Sequence, residues 1–170
     1  MSVVLTTKRL ILRQPTARDV PASAAFWSSA RSHMMGGPWS AEEHARETAD
    51  LDAQWQKHGF SLFAVTLNGV DQAVGLVGPF FPDGHPEPEL AWSLWDERLE
   101  GKGIAYEAAT AARDWFFATS GFATAISYTN PENHRSHRLC DRLGAVVDPD
   151  AACPHAPPVV TYRHHGRGAP

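Results

Sequence analysis

With 15 Lys and Arg against 19 Asp and Glu, a chain of 170 residues carries a formal charge of -4 and has no general basic field for nucleic acid or an anionic membrane. That length suits one domain with a substantial core, expected over 1–170 with the core at about 5–163 and a frayed tail at 164–170. Val3-Val4-Leu5 is too short for a signal h-region and no later apolar run approaches a membrane span, so a soluble cytoplasmic protein with no membrane partner is expected.

Leu5 to Arg13 mixes apolar and polar residues at near-alternating spacing and ends at Gln14-Pro15, which predicts a first strand. Asp19 is placed to cap a helix whose apolar stripe runs through Ala22, Ala25, Phe26 and Ala30. Ser32 to Trp39 contains Gly36-Gly37-Pro38 and is expected to be a loop, with enough apolar surface in Met34, Met35 and Trp39 to cover something or to pack the helices together. Ser40-Ala41-Glu42-Glu43 reads as a capping box launching a helix to about Lys57, with Gly59 as its stop.

Strand composition at 60–67, the Asn68-Gly69 turn and a return strand at 72–77 predict a meander. The proline-rich 80–88 is expected to loop before a strand at Glu89–Leu94. An Ala-rich helix is expected from Gly103 to Thr119, a strand from Phe122 to Tyr128, and a helix from Asn133 to Leu143 closed by Gly144. Val146-Val147 and 159–162 are the last candidate strand pair.

Cys140 and Cys153 do not make a disulfide framework, so both thiols are expected free. His134, His137 and Cys140 recur at spacings of three on one helix, but no second ligand pair has structural-zinc spacing, so no metal is expected.

The segment Arg98-Leu99-Glu100-Gly101-Lys102-Gly103-Ile104-Ala105 joins a strand to a helix through two glycines. Such a junction can hold a phosphate group, because the first N–H groups of a helix lack internal partners and glycine lets the anion approach them. Arg98 and Lys102 would add positive charge. A Walker A loop is excluded, since Gly103 follows Lys102 where Ser or Thr is needed and Asp96 stands in the place of its first Gly; Tyr106 stands where a dinucleotide fingerprint needs Gly or Ala.

Arg98-x-x-Gly101-x-Gly103-Ile104-Ala105 resembles the acetyl-CoA pyrophosphate loop of the GNAT N-acetyltransferases. The following Tyr106-Glu107-Ala108, the opening Thr7-Lys8-Arg9-Leu10-Ile11-Leu12-Arg13, and Asn133-His134-Arg135-Ser136 ending at Arg142-Leu143-Gly144 resemble the ribosomal-protein alanine N-acetyltransferase branch, with Ala145 in place of its usual Phe. The resemblance implies an α/β GNAT fold, a mixed twisted sheet of about six or seven strands with helices on both faces. It also implies an enzyme transferring acetyl from acetyl-CoA to a primary amine, with a protein or peptide N-terminus favoured as acceptor, a small amine open, and a monomer or homodimer as the assembly.

By the same resemblance, backbone N–H groups of Glu100, Gly101, Lys102, Gly103, Ile104 and Ala105 would take the pyrophosphate and the backbone of Trp92, Ser93 and Leu94 would line pantetheine. Asn133 is either a helix cap, an orienting group for pantetheine, or both. Glu89 is the first candidate for the base that frees the amine, with Glu87 in reserve. The family's usual Tyr is replaced by Cys140, so the thiolate's proton falls to Ser136, which would also touch the cofactor. A module that binds CoA without catalysis is the rival reading.

Overall fold

The computed structural model describes residues 3–166. Strands β1 (Val4–Thr6) and β2 (Leu10–Arg13) are followed by helices α1 (Val20–Trp27) and α2 (Ala41–His58), then by the strands β3 (Phe63–Leu67), β4 (Ala73–Phe80) and β5 (Glu89–Leu94). Helix α3 (Ile104–Thr119), strand β6 (Thr124–Thr129), helix α4 (His134–Arg142) and strands β7 (Val146–Val147) and β8 (Val160–His165) complete the chain. The strands form one mixed sheet in the order β1-β2-β3-β4-β5-β6-β8-β7.

The sheet has eight strands because the expected first strand is broken. Thr7 accepts the Leu10 N–H on its hydroxyl at 3.0 Å and donates its own N–H to the Leu10 carbonyl at 2.9 Å, closing a turn that folds β1 back on β2 with Leu5 opposite Leu12. A second correction lies at the other end. β8 runs into the expected tail as far as His165, with His164 1 % exposed and its Nε2 2.9 Å from the Ser127 hydroxyl. The rest of that tail, 167–170, lies outside the described residues. The expected loop at 32–39 begins with a 3-10 turn, Ala30–Met35, capped by Ser29 and ended by Gly36.

Alternation along β3 divides the core. Phe63 and Val65 join Leu10, Leu12 and Val77 beneath α3, where Ala108 and Ala112 have no exposure and let the helix lie close to the sheet. Ala64, with Leu76, packs on the opposite side against Phe26 of α1 and Leu51 of α2. Helices therefore cover both faces, as expected.

The α2 capping box forms as the sequence predicts: Ser40 Oγ accepts the Glu43 N–H at 3.2 Å and the Glu43 carboxylate accepts the Ser40 N–H at 2.7 Å. Ser40→Ala should cost about 1 kcal/mol of stability, seen as a lower denaturant midpoint with an unchanged slope.

β5 and β6 are parallel because α3 crosses between them, and they share the single register pair Glu89 with Ile126 before parting. The opening between them positions everything that follows.

Candidate active site

At the end of β5, Asp96 accepts the Arg98 N–H at 3.0 Å and opens a short turn. The Arg98 guanidinium folds back onto the same carboxylate, at 2.9 and 2.8 Å, and these bonds hold the Asp96 carboxyl at about 2. Arg98 is thus engaged locally rather than aimed at the glycine loop. Glu100 departs from expectation too: its N–H goes to the Glu97 carbonyl at 3.1 Å, and its carboxylate lies between Arg31, at 2.7 Å, and Arg135 of α4.

The glycine pair behaves as predicted. Gly101 and Gly103 have φ of 71° and 77°, a region costly for any residue with a Cβ, and Gly103 is the N-cap of α3 without a side-chain cap bond. The N–H groups from Gly101 to Ala105 are the donors this loop can offer an anion. Lys102 sits between the glycines, and the side chain of Ile104 is buried in the core cluster with Leu10, Leu12 and Ala108.

Beyond the β5–β6 opening lies a cavity of about 630 Å³. Glu89, Trp92 and Ser93 line it from β5 and Asn133 and Ser136 from the start of α4, so five of the expected site residues converge there. Leu94 and the glycine loop lie outside its walls. Met34, Met35 and Trp39 also line it, so the expected loop does cover a space; Trp39 stacks on Trp27 with ring centroids 3.7 Å apart.

Asn133 caps α4 by accepting the Ser136 N–H at 3.2 Å. The Ser136 hydroxyl accepts the Trp92 indole N–H at 3.1 Å, which fixes the oxygen while leaving the O–H proton to be donated elsewhere. Cys140, one turn further on, is fully buried and its thiol is pushed up to about 12 by burial, so it is a core residue.

Glu89 is the most perturbed carboxyl of the site. Its side chain is 12 % exposed, and burial pushes it up to about 8 against a backbone hydrogen bond from Tyr128. His85 Nδ1 lies 4.0 Å from its Oε2, and that buried nitrogen has no hydrogen-bond partner among the described residues. Tyr128 and His155 pack edge-on against the His85 ring. Burial lowers both histidines, His85 further through His155. Sequence reasoning missed these three neighbours, which come from a proline-rich loop, a strand and the 148–158 connection; no local spacing links them.

The reserve carboxylate is placed differently. Glu87 is held by Arg163 through two bonds of 2.8 and 2.9 Å, and Arg163 also grips Asp148, which puts Glu87 outside the cavity walls. Among the described residues lining the cavity, Asp19, Glu47, Asp50 and Glu89 are carboxylates and none is Lys or Arg. Burial and the neighbouring Asp50 raise the Glu47 carboxyl. Among the described residues no three His, Cys, Asp or Glu side chains form a group that could hold a metal, and no helix is long and apolar enough to cross a membrane.

The family model described as Acetyltransferase (GNAT) domain matches residues 9–146. The acetyltransferase structure from Agrobacterium tumefaciens str. C58 is 34% identical with a TM-score of 0.91, covering 96% of this chain and 94% of that one. Among curated proteins, the Uncharacterized N-acetyltransferase YnaD of Bacillus subtilis (strain 168) is 25% identical over 142 residues, 82% of this chain and 81% of that protein. The fold is also that of RimL, a ribosomal L7/L12 alpha-N-protein acetyltransferase solved in complex with coenzyme A, at a TM-score of 0.77 and 16% identity over 96% of this chain and 98% of that one.

Proposed function

Since this chain belongs to the GNAT acetyltransferase family, whose acetyl donor is acetyl-CoA, we propose that it acts as one catalytic domain moving acetyl directly to a primary amine, with a protein or peptide N-terminus as acceptor. The observation that carries the chemistry is the convergence of Glu89, a buried carboxyl raised to about 8, and Ser136, a hydroxyl with its proton free to donate, on one cavity at the β5–β6 opening.

The residues present fit the donor. Two glycines with positive φ open a helix N-terminus to an anion, and the parted strands leave the Trp92–Leu94 edge of β5 without a ladder partner on the β6 side. Acetyl-CoA supplies the activated acyl group. Gly101 to Ala105 bind its pyrophosphate with backbone N–H groups, Lys102 adds charge, and Trp92, Ser93 and Leu94 line pantetheine with Asn133 beside them. Arg98 contributes by closing the turn before the loop through Asp96, and Glu100 by fixing Arg31 and Arg135 at its edge.

An amine arrives mostly protonated at neutral pH, and only its neutral form attacks a carbonyl. Glu89, as carboxylate, takes that proton, directly or through one water; after the amine adds to the thioester carbon, the C–S bond breaks, Ser136 donates its proton to the departing sulfur and regains one from the nitrogen of the new amide. Asp19 is paired with Arg13, but Asp50 and, once deprotonated, Glu47 and Glu89 give the described walls negative charge with no Lys or Arg among them, which favours a cationic amine over an anion. The likeness of the opening and α4 motifs to the ribosomal-protein branch supports a protein N-terminus.

The test is an acceptor screen with acetyl-CoA, following thiol release and acetylated product by mass spectrometry over N-terminal peptides and small diamines. Turnover of peptides alone supports the reading. Turnover confined to small amines moves the acceptor class, and CoA binding without turnover of any amine establishes the non-catalytic module instead.

A further inference from the structure

Two stretches that resemble the ribosomal-protein branch, Thr7-Lys8-Arg9 and Tyr106-Glu107-Ala108, lie about 100 residues apart and meet beneath the glycine loop. Glu107, in the first turn of α3, accepts the Thr7 hydroxyl at 2.6 Å and the Arg9 backbone N–H at 2.9 Å on one oxygen, and Arg9 Nε at 2.6 Å on the other. The same guanidinium donates through Nη1 to the carbonyl of Lys102, between the two glycines, at 2.9 Å. Its Nη2 lies 3.5 Å from where a Cβ on Gly103 would be. Burial alone would raise the Glu107 carboxyl, but the donors from Thr7 and Arg9 outweigh it and the net shift is downward.

A loop with two glycines has many backbone states, and ordering it subtracts from whatever anion binding yields. Contacts already made in the free protein remove that cost. We propose that Thr7, Arg9 and Glu107 form a preformed clamp that holds the 101–105 loop in its anion-binding shape, which makes Arg9 a positioning residue for acetyl-CoA. The inference rests on the reading that this loop takes the pyrophosphate.

One planar fork reaches in two directions at once: Nε to a carboxylate and Nη1 to a carbonyl. A lysine ammonium in the same place keeps the charge and cannot span both. Charge attraction and clamping therefore separate. The Thr7 hydroxyl both receives the Leu10 N–H and donates to Glu107, so it ties the turn of the β1–β2 hairpin to α3.

The experiment is calorimetric titration of coenzyme A into wild type, Arg9→Ala, Arg9→Lys, Thr7→Ser and Thr7→Val, with steady-state kinetics alongside. Arg9→Ala and Arg9→Lys should both bind CoA roughly 10-fold more weakly, with acetyl-CoA KM raised to match and with kcat at saturation and acceptor KM as in wild type. Thr7→Ser should keep wild-type affinity and Thr7→Val should lose part of it. Wild-type CoA affinity in folded Arg9→Ala, even with a lowered Tm, overturns the clamp, as does wild-type affinity in Arg9→Lys, which would leave charge alone at work. If Arg9→Ala does not fold, Thr7→Val and Glu107→Gln decide the matter by the same readout. Should Gly103→Val bind CoA as wild type does, the loop reading itself fails, an outcome distinct from failure of the clamp.

Discussion

Glu89→Gln is expected to lower kcat by roughly 10²-fold or more while CoA affinity stays near wild type. The amide keeps the size of the carboxyl and cannot take a proton. Because Glu89 titrates at about 8, the wild-type rate should climb through that region as the carboxylate forms. In the variant only the rise from the amine's own deprotonation should remain, so the deficit should shrink at higher pH as solvent deprotonates the amine. Rates measured from about pH 6 to about pH 10 check this, and a variant with full kcat across that range would end the assignment of Glu89 as base. With Glu87 bound by Arg163, the role would then pass to solvent.

The same substitution should change stability with a definite sign. A folded value of about 8 against the ordinary glutamate value of 4.5 means that the folded protein holds a proton which the unfolded chain has released throughout that window. The associated stability is complete below the unfolded value and is lost as pH rises through the folded one. Glu89→Gln removes this loss, so its Tm should exceed that of wild type near about pH 9 and match it near about pH 4.

Gly103→Val should weaken CoA binding by roughly 10²-fold. The reason is conformational: at φ 77° a β-branched residue is strained, and relieving that strain turns the N–H groups at the start of α3 away from the anion. Space in the free protein is not the obstacle, because the nearest atom to an added Cβ is Arg9 Nη2 at an ordinary 3.5 Å. The variant should therefore fold, and its defect should appear in calorimetry with CoA. Unchanged affinity in the folded variant would move the pyrophosphate away from this loop. Gly101→Val makes a second test, since φ is 71° there and an added Cβ would meet nothing within 4 Å.

The glycine loop, the α2 capping box, the Asn133 cap and the ends of α3 and α4 were legible in the sequence because each depends on residues within a few positions. A positive φ, an unclaimed N–H or a hydroxyl three residues from its partner is local stereochemistry. Arg98 shows the limit of reading charge without geometry: its distance of two residues from Asp96 was also local, yet its sign alone suggested a phosphate ligand. The turn at Thr7 was hidden for a related reason, since alternation continues across a hairpin corner that one hydroxyl closes.

The tertiary structure alone decided which carboxylate is buried. Glu87 and Glu89 are two residues apart and alike in chemistry, but one meets Arg163 of β8 while the other faces a cavity with His85, Tyr128 and His155 around it. A pKa follows from lost water and from charges brought near, and both are set by chain segments far away in sequence. The sequence by itself determined that α3 starts behind two glycines of positive φ, the geometry proposed here to take an anion, since a helix start and a turn are set by residues within a few positions. Where a proton can be taken depends on burial, which exists only once the sheet has closed around the site.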